Sequence, residues 1–114
     1  MKKLTPFLWF DKNLKEITSF YLSVFPDATL RSNGELPDTP SGNVEMATLT
    51  IFDQELSLMT AGPMFKFTEA ISFVVRCDSQ KEVDYYWEKL TADGGSESQC
   101  GWLKDKYGLS RQIV

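Results

Sequence analysis

The chain contains no histidine. That absence removes Ser-His-Asp and Cys-His catalysis, imidazole acid–base chemistry and every metal site that uses an imidazole ligand. Cysteine is nearly as scarce. Cys77 and Cys100 are the two present, and no C-x-x-C pairing exists, so zinc-ribbon and thioredoxin readings fail. No G-x-G occurs, which leaves the chain without the glycine-rich turn that cradles a dinucleotide or a SAM-type cofactor. Positive charge is sparse and scattered: the net charge is −4, and Lys2-Lys3 and the trio Lys104, Lys106 and Arg111 are the nearest approaches to a basic cluster. Nucleic acid and anionic membrane are therefore not the expected partners. No apolar run reaches transmembrane length. The apolar stretch after Met1-Lys2-Lys3 stops at Asp11 with no small-residue cleavage site, unlike a signal peptide. The expected compartment is the cytoplasm, with both thiols reduced.

What the sequence does hold is enough for one domain: 114 residues, 42% of them apolar, suffice for a real core. Leu4 to Phe10 is apolar at nearly every position and short, the pattern of a strand buried on both faces. Asn13 and Glu16 then read as a capping box opening a helix whose apolar face is Leu14, Ile17, Phe20, Tyr21, Val24 and Phe25. Pro26 stops it. Ala28 to Ser32 predicts a short strand, and Asn33 to Asn43, with two glycines and two prolines, a long loop. Val44 to Phe52 alternates, with Ala47, Leu49 and Ile51 on one face and Met46, Thr48, Thr50 and Phe52 on the other. A turn at Asp53-Gln54 and a returning strand Leu56 to Thr60 complete a hairpin. After a connector containing Gly62-Pro63, Met64, Phe65 and Phe67, the order repeats. Ile71 to Val75 is a strand. Ser79 and Glu82 cap a helix that buries Val83, Tyr86, Trp87 and Leu90 and ends at Gly94-Gly95. Ser98 to Lys104 and Leu109 to Val114 are the last strands.

The two halves match at a constant offset of about 66 residues, cap to cap and face to face, as internal duplication requires. Asn13 pairs with Ser79, Glu16 with Glu82, Ile17 with Val83, Phe20 with Tyr86 and Tyr21 with Trp87. The expected architecture is α+β: one domain over 1–114, made of paired βαβββ modules at 1–60 and 70–114. Its sheets are mostly antiparallel and curve around a cleft, the default place for a ligand.

The strings Leu4-Thr-Pro-Phe-Leu-Trp-Phe-Asp11, Phe20-Tyr21, Phe65-Lys66-Phe67, Glu69-Ala-Ile-Ser-Phe-Val-Val75 and Gln99-Cys-Gly-Trp-Leu-Lys-Asp105 resemble the PhnB-like branch of the vicinal-oxygen-chelate superfamily. That superfamily includes glyoxalase I, bleomycin-resistance proteins and extradiol dioxygenases. The branch often carries the label 3-demethylubiquinone-9 3-methyltransferase. The resemblance spans essentially the whole chain and implies the paired-module fold and a homodimer. It implies two departures as well. Branch members usually continue beyond the strand where this chain stops, which leaves open whether the second half has its last strand. Arg111 also stands where the branch usually has Trp. Metal enzymes of the superfamily carry ligands on the first strand of each half and an acid on a last strand. The resemblance places Pro6, one of Ala70 to Ser72, and Gln112 at those positions, a set with no strong donor at neutral pH. No metal and no cofactor are expected.

The leading expectation is a metal-independent small-molecule binding protein for a planar or aromatic compound. The candidate lining is Phe7, Trp9, Met46, Thr48, Thr50, Cys100, Trp102 and Gln112. Trp9 and Trp102 serve equally as ligand walls or as packing between sheets. Cys100 reads more simply as a half-buried core thiol than as a nucleophile. Met64, Phe65 and Phe67 read as a dimer contact or as a lid. Glu45, Glu55, Glu69 and Glu97 read as solvated rim charges unless two of them converge. Two other functions stay open: an enzyme, either a lyase or the methyltransferase-like activity of the label, and a dimeric interaction module without a ligand.

Overall fold

The computed structural model describes residues 2–114, which divide into two units, 2–66 and Phe67–Val114. The first unit contains β1 (Phe7–Phe10), α1 (Leu14–Val24), β2 (Thr29–Thr39), β3 (Gly42–Ile51) and β4 (Gln54–Thr60). Its sheet has the order β1-β4-β3-β2, with β1 parallel to β4 and the other pairs antiparallel. The second unit contains β5 (Ser72–Val75), α2 (Gln80–Thr91), β6 (Ser96–Glu97), β7 (Trp102–Lys104) and β8 (Ser110–Ile113). Its sheet repeats the scheme as β5-β8-β7-β6, again with the first strand parallel to the last. Each unit is thus a βαβββ module with a mixed sheet, and the fold class is α+β. Among the described residues no helix is long and apolar enough to cross a membrane.

Each sheet packs one face on its helix. In the first unit Leu8, Phe10, Ala47, Leu49, Ile51, Leu56 and Leu58 are buried on that face, against Leu14, Ile17, Tyr21 and Val24 of α1. Leu103, Ile113 and Val75 play the same part in the second unit, beneath Tyr86 and Leu90 of α2. β1 is consequently not buried on both sides, as its apolar run suggested. Phe7 is exposed and Trp9 half-buried on the face away from α1, because that face carries no helix.

The chain from Asn33 to Thr39 is strand rather than loop. β2 continues through Gly34 and Pro37 because it is the sheet edge, where a proline's missing N–H breaks no ladder. The irregularity that Pro37 and Asp38 impose is absorbed as a register shift between Leu36 and Thr39, with Asp38 at φ 57°. The turn joining β3 to β4 is at Phe52-Asp53, one residue earlier than the sequence suggested. Both residues have positive φ, 50° and 63°, the two-residue hairpin geometry usually reserved for Asn-Gly. Tertiary contacts hold it. The Phe52 N–H donates to Asp27 Oδ2 at 2.9 Å, and the Phe52 ring meets Phe25 edge-on at 5.7 Å. Ser98 to Gly101, expected as strand, is the turn between β6 and β7; Cys100 and Gly101 both have positive φ there.

The two helix caps differ. Ser79 Oγ accepts from the Glu82 N–H at 3.2 Å, as its motif suggested. Asn13 is instead left-handed (φ 65°, ψ 55°), and its side chain makes no cap bond, so the first capping box does not form. At the far end of α2, a Cβ on Gly95 would lie 2.5 Å from the Leu90 carbonyl and 2.9 Å from that of Lys104. Only glycine lets the chain turn this closely from helix into sheet. The caps predict an asymmetry in stability. Ser79→Ala should cost about 1 kcal/mol in urea unfolding, whereas Asn13→Gly should be neutral or stabilising, since glycine adopts the left-handed conformation without strain.

Candidate functional site

The faces turned away from the helices hold the candidates. In the first sheet, strand pairing sets Phe7, Ser57, Thr48 and Ser32 side by side in one row across four strands. The next row on the same face is Trp9, Met59, Met46 and Gly34. Thr50, opposite Glu55, extends the face by a third row. Phe7, Trp9, Met46, Thr48 and Thr50 therefore do share one surface. Phe7 is 56% exposed and Met46 37%. Gly34 contributes no side chain, and nothing lies within 4 Å of where its Cβ would be. The gap lies within a depression of about 270 Å³ lined by Phe7, Ser32, Leu36, Met46, Thr48 and Ser57, among others. Ser57, Ser32 and Met59 went unread in the sequence. Ser57 and Met59 lie on β4 at the spacing of two that marks one face, and that signal was available. Ser32 was hidden by the bulge at Arg31.

Trp9 is fixed at both ends. Its Nε1 donates to the Gly62 carbonyl at 2.8 Å, and its ring meets Phe65 edge-on at 4.9 Å. Phe65 of the connector thus lies on the open side of the first sheet, while Met64 beside it is 76% exposed.

In the second sheet, Val74, Gln112 and Trp102 form one row and Ser72, Ser110 and Lys104 the next, on the face away from α2. Trp102 and Gln112 are adjacent, as a shared lining requires. Cys100 is not with them. It sits exposed in the β6–β7 turn, which also corrects its reading as a half-buried core thiol. Arg111 has the opposite parity and lies on the helix side. It is 4% exposed, 3.6 Å from Asp105 Oδ2, and its guanidinium lies 5.6 Å from the Phe73 ring centroid. This cation therefore belongs to the core beneath α2. Asp105 is 2% exposed, and its Oδ1 also accepts from the N–H groups of Tyr107 and Leu109.

The glutamates do not gather. Glu45 and Glu55 lie on opposite faces of the first sheet. Glu97 is exposed on β6, and Glu69 pairs with Lys104. The hydrogen bond from Lys104 is the main reason the Glu69 carboxyl titrates below its usual range. The pair is complete above the ordinary carboxylate range and opens only as pH falls through that lowered value. Burial, with help from Glu82 and Asp78, raises the Cys77 thiol.

The fold and the paired modules are those of the vicinal-oxygen-chelate superfamily. The sequence matches the family described as 3-demethylubiquinone-9 3-methyltransferase over residues 2–114, and the chain belongs to that family. A PhnB protein from Bacillus cereus with the same designation is similar at 29% identity and a TM-score of 0.81, covering 99% of this chain and 98% of its own. PA1353 from Pseudomonas aeruginosa shares the fold at 21% identity, TM-score 0.73, with 99% and 96% covered. So does the fosfomycin resistance protein FosX from Listeria monocytogenes, solved with Mn(II) and sulfate, at 18% identity, TM-score 0.65, with 99% and 91% covered. A search of curated protein sequences gave no match.

A divalent metal, which this fold holds in FosX, does not fit the residues here. Pro6 offers no side-chain donor, and its carbonyl already accepts from the Ser57 N–H at 2.9 Å. Gln112 donates through Nε2 to Ser72 Oγ at 3.0 Å, so its amide is already engaged within the sheet. Among the described residues no group of three Asp, Glu or Cys side chains is placed to hold an ion.

Two measurements follow. Asp105→Asn should leave a buried guanidinium without its counter-charge and cost about 3–5 kcal/mol in chemical denaturation. Iodoacetamide at pH 8 should alkylate Cys100 severalfold faster than Cys77, because raising a thiol's titration point lowers its thiolate fraction; peptide mapping over time reads the order directly.

Proposed function

We propose that the protein binds a small molecule with a planar, apolar body on the open face of its first sheet, and that it does so without a metal. The observation that carries this reading is the pairing of exposed apolar groups with hydroxyls in one depression. Phe7, Met46 and Leu36 are exposed beside Ser32, Thr48 and Ser57. Apolar area left in water costs roughly 25 cal/mol per Å², and ligand sites combine such area with a few fixed polar groups. The depression has room for a bicyclic aromatic body, and the row of hydroxyls would orient its polar substituent. Metal independence is supported by the donor set: a proline and an amide engaged with a serine do not coordinate a divalent ion. The scattered glutamates favour binding over acid–base catalysis, which needs converging titratable groups. Cytoplasmic location and assembly as a homodimer belong to the same proposal; exposed Met64 and Ile71 support the second.

The test is a titration with 2-naphthol in EDTA, followed by backbone amide shifts. Saturable shifts at Phe7, Met46, Thr48 and Ser57 are expected, and Phe7→Ala should weaken binding by about tenfold, the equivalent of ~1.4 kcal/mol. Absence of saturation, or saturation only when a divalent metal is added, would reject the reading.

A further inference from the structure

The face of the second sheet turned away from α2 contains a buried hydroxyl that its own fold does not satisfy. Ser110 is 1% exposed, and its Oγ has no hydrogen-bond partner among the described residues. Buried polar groups in native proteins are almost always paired, so such an exception calls for a reason. The strand pairing supplies one. Ser110 lies between Ser72 on β5 and Lys104 on β7 in a single row. It is two residues from Gln112 on the same strand, so both side chains leave the same face. Gln112 Nε2 donates to Ser72 Oγ, which leaves the Ser72 proton free to point elsewhere. Two O–H donors thus stand side by side, with Gln112 holding one of them in place.

The charge around them selects the kind of acceptor. Lys104 is the one cation in the row, and its ammonium is tied to Glu69, so the row carries no net charge. An oxyanion would find no uncompensated positive charge, and a metal would find no anionic donor other than one already paired. A neutral carbonyl oxygen, with two lone pairs, matches two hydroxyl donors. The adjoining row adds Val74, 40% exposed, and half-buried Trp102, an apolar flank for an aromatic body. The exposed Lys104–Glu69 pair is the movable neighbour, since surface ion pairs of this kind hold little free energy.

We propose that this face binds a neutral, carbonyl-bearing aromatic molecule, with the hydroxyls of Ser110 and Ser72 donating to the carbonyl oxygen and Trp102 and Val74 flanking the ring. The assignment deepens the small-molecule reading and rests on it, but it has its own point of failure.

Three probes of one shape test it on the full chain in EDTA: 2-acetylnaphthalene, 2-ethylnaphthalene and 2-naphthoate. The acetyl compound should bind about tenfold more tightly than the ethyl compound, since a site built to donate hydrogen bonds discriminates against a ligand that cannot accept them. It should shift the amides of Ser72, Ser110 and Gln112. In Ser110→Ala the preference should fall to about twofold or less. That variant should melt no lower than the parent, because it removes a buried hydroxyl without a partner; Ser72→Ala is the second variant and should lose the preference as well. Equal binding of the acetyl and ethyl compounds would overturn the carbonyl assignment and leave the small-molecule reading standing. Tighter binding of the naphthoate would also overturn it, in favour of an oxyanion. If none of the three binds, the assignment falls, and the 2-naphthol titration at the first sheet decides separately whether the broader reading falls with it.

Discussion

The parallel pairing of the first strand with the last is the constraint from which each unit follows. β1 lies beside β4, and β5 beside β8, so each chain must cross over its sheet between them and does so with a helix. The helix covers one face only. Parity then commits each strand residue to one face or the other: one set turns towards α1 or α2, and the other set turns away from it. Shifting β1 by a single residue would exchange Leu8 and Phe10 for Phe7 and Trp9, turning two core side chains outward and forcing an indole into the space they fill. The composition of the open faces is thus a consequence of the pairing. Phe7, Trp9 and Trp102 stand there because their neighbours in sequence are needed inside.

FosX holds Mn(II) on this fold, whereas the polar groups of this chain are turned to bonds within the sheets. Gln112 and Ser72 meet across β8 and β5, and their mutual hydrogen bond satisfies groups that would otherwise face solvent unpaired. The carbonyl of Pro6, just before β1, accepts from the Ser57 N–H and is drawn into the sheet ladder. These positions keep a structural role. Most of what these faces carry is uncharged: hydroxyls, indoles, thioethers and rings, with Glu55 and Lys104 beside them. Such surfaces select by shape and by individual hydrogen bonds more than by charge.

Much of the architecture was legible in the residues, and the exceptions have physical causes. The helices were readable because their apolar spacing is local, and β3 because it alternates from Ala47 to Ile51. β2 was misread because glycine and proline signal turns only where a strand needs ladder bonds on both sides, and an edge strand does not. The Asn13 cap failed because a side-chain motif says nothing about the backbone dihedral of its first residue, which here is left-handed. At the site, Met46, Thr48 and Thr50 came together because they alternate along β3, while Phe7 and Trp9 joined them through the pairing of β1 with β4, which a uniformly apolar run does not reveal. Cys100 did not join Trp102, because one turn separates them, and turns erase parity. Ser110 escaped notice because a lone serine has no pattern; its interest lies entirely in what fails to touch it. Arg111 was placed by family analogy rather than by parity, and parity against Leu103 would have assigned it to the core.

That arginine has a consequence for the way this sequence can change over generations. Asp105 serves the guanidinium of Arg111 with one oxygen and two backbone amides of the β7–β8 turn with the other. The hairpin and the interior of the second module are therefore joined through a single carboxylate. Replacing either member alone strands a charge in the interior, and replacing both still leaves the turn to be rebuilt. A change at Arg111 has to be matched at Asp105, and a change at Asp105 has to be matched in the turn as well.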